Sequence, residues 1–370
     1  MTGAGGPGIS LAGASRGAGG VPGAGERTPR MLICEDSGMY ATALRRLLEY
    51  DGDISVAAVC ATAEEAIAAL PTVRPDLVTM DIELPGMDGL AAVEEIMCSA
   101  PVPILVLSAQ VGHGTNRAAA ALAAGAVDAL AKDDLDLLDP AGPGGMAFRH
   151  RVKMLSRAHV IRHPRARLRS RPASTGRVRE AAVVGVCSST GGPQILARLL
   201  ETLPGDYQVP VLVVQHIAAG FTEGLARWLD RTVAIPVRIA EEGAPAAPGA
   251  WIAAEGAHLT LTTTGHLHLD RDTVRGRHRP SGDVLLDSIA AAAGRAGVAV
   301  VLSGMGNDGA AGAASVRRRG GLAIAQDEAS CAVFGMPKAA IDQGVDVVLP
   351  PGEIATRLLG LRYERLRGAQ

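Results

Sequence analysis

The feature that most constrains the fold is a repeated alternation of short β-branched runs with segments of helical periodicity. Repeats of this kind build a mainly parallel sheet with helices on both faces. They form two series, separated by a break over residues 139–182. The sequence therefore predicts an α/β chain of two doubly wound domains joined by a linker. The predicted strands are 30–34, 54–60, 77–81, 103–107 and 126–129, then 181–187, 209–215, 237–240, 298–302, 322–325 and 345–349.

The amino-acid composition limits the classes of partner that the chain is expected to bind. The chain has 36 basic and 38 acidic residues, and its aromatic residues are two Trp, four Tyr and three Phe. Balanced charge and scarce aromatics argue against a nucleic-acid partner and predict aliphatic cores. Five cysteines without CxxC spacing are typical of reduced thiols in the cytoplasm. Because no signal-peptide layout or bilayer-length apolar run is present, we expect a cytoplasmic protein that does not insert into membranes.

Two segments have the composition of tails or linkers. Residues 1–29 hold ten Gly and five Ala without an apolar period, which predicts a disordered tail. Between Arg149 and Arg179 there are ten Arg and no acidic residue, and residues 148–161 could form one basic helix. This stretch is interpreted as a solvated basic linker, or alternatively as a surface for an anionic partner. The predicted division is 1–29 tail, 30–140 first domain, 141–180 linker and 181–365 second domain.

Charged and hydroxyl side chains stand at the ends of the first domain's strands. They are Glu35 and Asp36, Asp81, Ser108 and Lys132. Ligands bind outside the carboxyl ends of parallel strands, and three carboxylates meeting there need a hard cation such as Mg²⁺. Asp81 would then be the nucleophile that becomes an aspartyl phosphate, with Lys132 and Ser108 holding the other phosphoryl oxygens. The alternative interpretation is that these acids only cap helices.

This pattern, with Asp81 inside the segment 80–89, resembles the receiver domain of response regulators over about residues 30–140. The resemblance implies a flavodoxin-like sheet and a histidine kinase as the phosphodonor for Asp81. It also implies that Glu35 and Asp36 hold Mg²⁺ together with Asp81 and the main-chain carbonyl of Glu83.

A nucleophile, a base and an acid stand at strand ends of the second domain. Ser189 lies in Ser188-Ser-Thr-Gly-Gly-Pro193, between a strand and a helix, where amides and glycines let a substrate approach the backbone. His216 ends the next strand, and Asp308 lies in the Gly-rich segment 303–309. We expect Ser189 to attack, His216 to accept its proton and Asp308 to orient the imidazole. Alternatively, His216 is a core residue and Asp308 only closes a turn.

Other residues compete for these roles. His258 is the rival base, Ser188 is an adjacent hydroxyl, and Cys187 ends a buried strand and is interpreted as packing. His266 and His268 alternate on a polar strand and are expected at the surface. Main-chain amides would stabilise the oxyanion, and no cofactor is needed for hydrolysis. The candidate oxyanion donors are Thr190, Gly191, Met305 and Gly306.

Four motifs in the second domain are more specific together than singly. They are Ser-Thr-Gly-Gly-Pro at 189–193, Gln215-His216, Ser303-Gly-Met-Gly-Asn-Asp-Gly309 and Phe334-Gly-Met-Pro337. They resemble the catalytic domain of the chemotaxis protein-glutamate methylesterases over about residues 180–365. The resemblance implies a Rossmann-like serine hydrolase with Ser189, His216 and Asp308 as its triad. It would demethylate glutamyl methyl esters and deamidate glutamines on methyl-accepting chemoreceptors, adapting chemotaxis signalling.

The order of receiver, linker and esterase implies control by phosphorylation. We expect the unphosphorylated receiver to cover the cleft and phosphorylation at Asp81 to shift the packing. Two alternatives stay open at this point. The same hydrolase could act on a receptor-like protein outside chemotaxis, or the second domain could only bind a partner.

Overall fold

The computed structural model describes residues 27–108, 113–158, 160, 179–274 and 278–366, without the side chains of 113–116. Residues 1–26 of the predicted tail and 161–178 of the predicted linker lie outside this description.

The first domain is a five-stranded sheet with helices on both faces. Its strands are β1 Arg30–Cys34, β2 Ser55–Cys60, β3 Leu77–Asp81, β4 Ile104–Ser108 and β5 Asp128–Ala131; its helices are α1 Gly38–Leu48, α2 Ala63–Val73, α3 Gly89–Ser99, α4 His113–Ala124 and α5 Pro143–Leu155. All neighbours are parallel in the order β2-β1-β3-β4-β5. Alternate residues of β1 enter two apolar clusters, one with α2, α3 and α4 and the other with α1 and α5. Burial of both faces explains why these strands read as continuous apolar runs.

The stretch predicted as the start of a basic linker is folded. Helix α5 covers residues 143–155, and Phe148, Val152 and Leu155 are buried in the cluster that contains α1. Its basic side chains are not free in solvent, because three acids of the first domain accept them. The ion pairs are Arg149–Asp51 at 2.6 Å, Arg151–Asp128 at 2.6 Å and Lys153–Asp53 at 2.5 Å. The sequence-based expectation overlooked these acids because they lie far away in the chain.

The second domain is built around a seven-stranded sheet. The strands of the whole domain, of which seven form this sheet, are β6 Arg179–Ala181, β7 Val183–Ser188, β8 Val211–Gln215, β9 Val237–Ile239, β10 Ala250–Ile252, β11 His258–Leu261, β12 Leu267–Asp270, β13 Gly297–Val301, β14 Leu322–Gln326, β15 Val347–Leu349 and β16 Leu361–Tyr363. The main sheet is parallel throughout in the order β15-β14-β13-β7-β8-β10-β9. The prediction of two doubly wound, mainly parallel sheets is confirmed. Strand order reverses at β7, so its carboxyl end lies where ligands bind in open α/β sheets.

Helices cover both faces of this sheet as well. They are α6 Gly192–Glu201, α7 Thr222–Thr232, α8 Gly282–Ala293, α9 Ala310–Arg318, α10 Met336–Asp342 and α11 Pro351–Leu359. One apolar cluster joins the sheet to α6, α7 and α11, and another joins it to α8, α9 and α10. Strands β11 and β12 form a separate antiparallel hairpin. Within the described ranges, the helices are too short or too polar to cross a lipid bilayer.

Candidate active site

The turn after β7 exposes one of its two serines. Ser188, the last residue of β7, is fully buried, and its hydroxyl donates to Oε1 of Gln215 at 2.6 Å. Ser189 is partly exposed, and its amide donates to the carbonyl of Ser303 at 3.0 Å. The structure therefore leaves Ser189, rather than Ser188, available for attack on a substrate.

Glycine is required where this turn enters helix α6. Gly191 has φ +71°, a left-handed conformation that side chains rarely adopt, and a β-carbon there would collide with the β-carbon of Ala332. Pro193 then occupies the first turn of the helix, where a missing amide hydrogen costs little. The motif Ser-Thr-Gly-Gly-Pro is thus a local requirement for placing Ser189 at the sheet edge.

His216 and Asp308 are brought together beside this turn. Nε2 of His216 lies 2.8 Å from Oδ2 of Asp308, and the His216 amide donates to the carbonyl of Ser188 at 2.9 Å. The second bond holds His216 against the strand that leads to Ser189. Among the described residues, no hydrogen bond joins the Ser189 hydroxyl to the imidazole. Nδ1 is the ring nitrogen that remains for proton transfer.

Asp308 is held by the start of helix α8, which the sequence did not single out. The Ser281 hydroxyl donates to Oδ1 at 2.8 Å, and the Gly282 and Asp283 amides donate at 2.6 and 3.0 Å. Burial alone would raise the pKa of Asp308, but His216 and these amides outweigh it and hold that pKa well below its ordinary range. The carboxylate therefore stays charged and can stabilise an imidazolium.

A second histidine covers the His216 ring. His278 is exposed, and its ring stacks on that of His216 with centroids 4.3 Å apart and planes inclined by 22°. Sequence reasoning missed this contact, because His278 is 62 positions away in the chain and lies in no apolar pattern. The stack limits rotation of the imidazole.

The other residues considered for the roles of base and nucleophile are not suited to them. His258 is buried in β11 of the hairpin, opposite Asp270, whereas His216 is the histidine beside Asp308. Cys187 is fully buried in β7, and this burial raises its pKa well above the ordinary value for a thiol. A neutral buried thiol is a poor nucleophile. His266 and His268 are both exposed on the hairpin, as expected.

The oxyanion candidates are not equivalent. The Gly191 amide donates to the carbonyl of Val127 in the first domain at 2.9 Å, so it is engaged in this structure. Within the described residues, the amides of Thr190, Met305 and Gly306 donate no hydrogen bond to a main-chain carbonyl. The loop that contains Gly304 can lie close to Ser189 because this residue has no side chain. A β-carbon at Gly304 would lie only 2.8 Å from the β-carbon of Ser189.

A second polar cluster lies at the strand ends of the first domain. Nζ of Lys132 lies 2.7 Å from Asp81 and 2.7 Å from Glu35, and the Glu83 amide donates to Asp81 at 3.0 Å. Burial opposes the charge on Lys132, but the two carboxylates outweigh it and raise its pKa. Burial also raises the pKa of Glu35, with Lys132 acting in the opposite direction. Ser108 is fully buried at the end of β4.

This cluster fits a hard divalent cation. Glu35, Asp36 and Asp81 each offer a carboxylate oxygen within 4.8 Å of the others. Carboxylate oxygens are the ligands that Mg²⁺ prefers, and the charge of Lys132 already offsets part of their repulsion. The structure thus brings Glu35, Asp36, Asp81 and Lys132 together at one edge of the sheet.

The first domain contacts the segments that flank all three candidate catalytic residues. Thr190, next to Ser189, donates its hydroxyl to Asp128 at 2.8 Å, and Gln194 donates to the carbonyl of Leu122 at 3.0 Å. Phe221, in the loop after His216, is fully buried in the cluster that contains α4. Met305, near Asp308, packs against the cluster that contains α1 and α5. The nucleophile turn is therefore bonded directly to the first domain.

Comparison with known proteins agrees with this architecture. Residues 184–358 match the model of the CheB methylesterase family, and residues 31–139 match that of the response regulator receiver domain. A protein-glutamate methylesterase/protein-glutamine glutaminase 3 of Myxococcus xanthus is 39% identical, covering 88% of this chain and 93% of that protein. A protein-glutamate methylesterase/protein-glutamine glutaminase 2 of Anaeromyxobacter dehalogenans is 41% identical, covering 90% and 97%.

One solved structure is similar to about half of this chain. The CheB methylesterase catalytic domain of Thermotoga maritima is 40% identical and covers 49% of this chain and 98% of its own, with a TM-score of 0.47. The family resemblance predicted from the motifs is confirmed by the two family models and the full-length relatives. This chain belongs to the protein-glutamate methylesterase/protein-glutamine glutaminase family, with a response regulator receiver domain ahead of its methylesterase domain.

Proposed function

We propose that this protein is a phosphorylation-regulated serine hydrolase that removes methyl groups from glutamyl esters of chemoreceptors and deamidates their glutamines. The observation that carries the proposal is the 2.8 Å contact between His216 and Asp308, beside the partly exposed Ser189. The relatives named above carry both activities in their names. The substrate would be the glutamate-rich cytoplasmic segment of a chemoreceptor, and the enzyme would work in the cytoplasm.

The reaction proceeds through an acyl-enzyme. Oγ of Ser189 attacks the ester carbonyl carbon while His216 takes the hydroxyl proton, and the imidazolium is stabilised by Asp308. The bond to the methoxy oxygen then breaks, and His216 returns the proton so that methanol leaves. Water attacks the acyl carbon by the same route, releasing glutamate and restoring Ser189. For glutamine, ammonia leaves in place of methanol.

Amides near Ser189 would stabilise the tetrahedral oxyanion. Thr190, Met305 and Gly306 are the candidates whose amides are unengaged among the described residues. A single oxyanion donor contributes about 3–4 kcal/mol to the rate in well-studied hydrolases. Engagement of the Gly191 amide by Val127 makes this donor unavailable while the two domains stay in contact.

The receiver domain would control access to this machinery. Asp81 would accept a phosphoryl group from a histidine kinase, and Glu35, Asp36 and Asp81 would hold a Mg²⁺ ion, which would supply positive charge to offset that of the transferred group. Lys132 would hold a phosphoryl oxygen after its ion pair with Asp81 is replaced. Phosphorylation then weakens the contacts between the receiver and the nucleophile turn, which frees Ser189 for the substrate.

The test is release of methanol from membranes that carry methyl-labelled chemoreceptors. Ser189→Ala should abolish release, because the attacking oxygen is gone. Ser315→Ala is the matched control, since Ser315 is a partly exposed serine on α9 whose hydroxyl bonds locally to the carbonyl of Ala311. Equal release by wild type and Ser189→Ala would contradict the proposal. Hydrolysis of a model ester without release from chemoreceptors would instead favour a receptor-like substrate outside chemotaxis.

A further inference from the structure

Gln215 has a role at the site that its sequence neighbours do not reveal. It is the last residue of β8, and only 5% of its surface is exposed. Its Nε2 donates to the carbonyl of Ser189 at 2.8 Å and to the carbonyl of His216 at 2.9 Å. Its Oε1 accepts the hydroxyl of Ser188 at 2.6 Å. Both amide hydrogens therefore go to the backbone of the two residues proposed to react.

These bonds lie where the sheet no longer holds the two strands together. Ser188 and Gln215 are the last pair in the ladder between β7 and β8, followed by one bond from the His216 amide to Ser188. Beyond that point the chain turns into α6 on one side and into the loop before α7 on the other. The Gln215 amide bridges the two carbonyls there, so it continues the connection past the end of the sheet.

Only a primary amide makes this set of bonds. Glutamate could accept the Ser188 hydroxyl but would place a negative oxygen against two carbonyls, and methionine has the length without the donors. Gly192 leaves room for the amide, because a β-carbon at that position would lie 2.6 Å from Oε1. The glycine of the turn and the glutamine of β8 thus fit one another.

We infer that Gln215 is a positioning residue that sets the separation and orientation of Ser189 and His216 by bridging their main-chain carbonyls. This inference rests on the proposed function. Gln215 touches no reacting atom, so it acts through the placement of the nucleophile and the base. Reacting groups must be held close to their productive geometry, and a displacement of about 1 Å can cost about 100-fold in rate.

The test is steady-state hydrolysis by Gln215→Met, with active sites counted by end-point labelling with a fluorophosphonate. Per labelled site, kcat should fall by about 10- to 100-fold because the bridge is lost, while KM for the receptor substrate changes by less than about twofold. Tyr207→Phe is the matched control, since it removes a buried hydrogen bond to Leu358 at the opposite end of β8. This control should keep the wild-type kcat.

A second variant separates positioning from general loss of structure. Gln215→Glu adds a negative charge beside His216, so the midpoint of the acid limb of kcat/KM should move to higher pH, whereas Gln215→Met should leave it in place. The inference is overturned if Gln215→Met keeps kcat within about twofold per labelled site. It is also overturned if the whole loss of rate is explained by fewer labelled sites. If Ser189→Ala remains active, the proposed function itself fails, and that result is distinct from either outcome.

Discussion

Replacing Gln194 with glutamate tests whether the receiver domain restrains the nucleophile turn. Gln194 lies in the first turn of α6, five residues after Ser189, and its Nε2 donates to the carbonyls of Leu122 and Ala126 in the receiver. Glutamate at this position loses both donors and turns a negative oxygen toward two carbonyl oxygens. The contact between the domains should weaken, while Ser189, His216 and Asp308 are left unchanged.

The size of the effect follows from the bonds lost. Each hydrogen bond contributes about 1 kcal/mol net, so the packed arrangement loses about 2 kcal/mol before any repulsion is added. A change of about 2 kcal/mol multiplies the population of separated domains by about 30. Methanol release by the unphosphorylated variant should therefore rise by about 10- to 30-fold, up to the rate of the phosphorylated wild type. The ratio of methanol release with a phosphodonor to release without it should fall by the same factor as the basal rate rises.

The assay compares methanol release with and without acetyl phosphate and Mg²⁺. Gln208→Glu is the matched control, because it makes the same change at an exposed glutamine whose side chain bonds locally to Asp206. This control should keep the wild-type basal rate. A Gln194→Glu variant that folds normally, responds to the phosphodonor as the wild type does and shows no rise in basal rate would refute a restraint of the turn by the receiver domain.

Three further predictions concern the acid, its support and the metal. Because the folded-state pKa of Asp308 lies below its ordinary 3.8, its charge stabilises the fold above that pH, and the contribution is lost as pH falls through the folded pKa. Asp308→Asn should therefore lower the unfolding free energy at about pH 7 more than at about pH 3, measured by urea denaturation. Ser281→Ala should cost about 1 kcal/mol by removing the cap of α8, read as a lower Tm, and should reduce kcat as Asp308 loses a donor. Chelation of Mg²⁺ by EDTA should abolish stimulation by acetyl phosphate without changing basal methanol release.

The alternation of apolar runs predicted every strand of the two parallel sheets except β10. Strand β10 was missed because its three residues, Ala-Trp-Ile, are too short to show a period next to Pro248 and Gly249. Its place in the sheet depends on pairing with β8 and β9, which lie far away in the chain. Helix α5 was expected in a solvated linker for a similar reason, since the acids that pair with it precede it by 23 to 100 positions.

Placement at strand ends also predicted which reactive groups meet. Asp308 and His216 are 92 positions apart, yet both follow strands of one sheet. The supporting residues were harder to foresee. Ser281 acts through the N-terminus of α8, and Gln215 appeared only as half of a two-residue motif. Hydrogen bonds to backbone carbonyls leave no periodic signal in a sequence, because the partner can be any residue type.

The most direct test of the account is the rate at which a small fluorophosphonate labels the protein, with the adduct mapped by mass spectrometry. In the wild type the adduct should form on Ser189, and acetyl phosphate should accelerate it. In Asp81→Asn the adduct should form at the same residue, but acetyl phosphate should have no effect. An adduct on Ser188 or Cys187, or a labelling rate in the wild type that does not respond to the phosphodonor, would contradict a serine hydrolase controlled by its receiver domain.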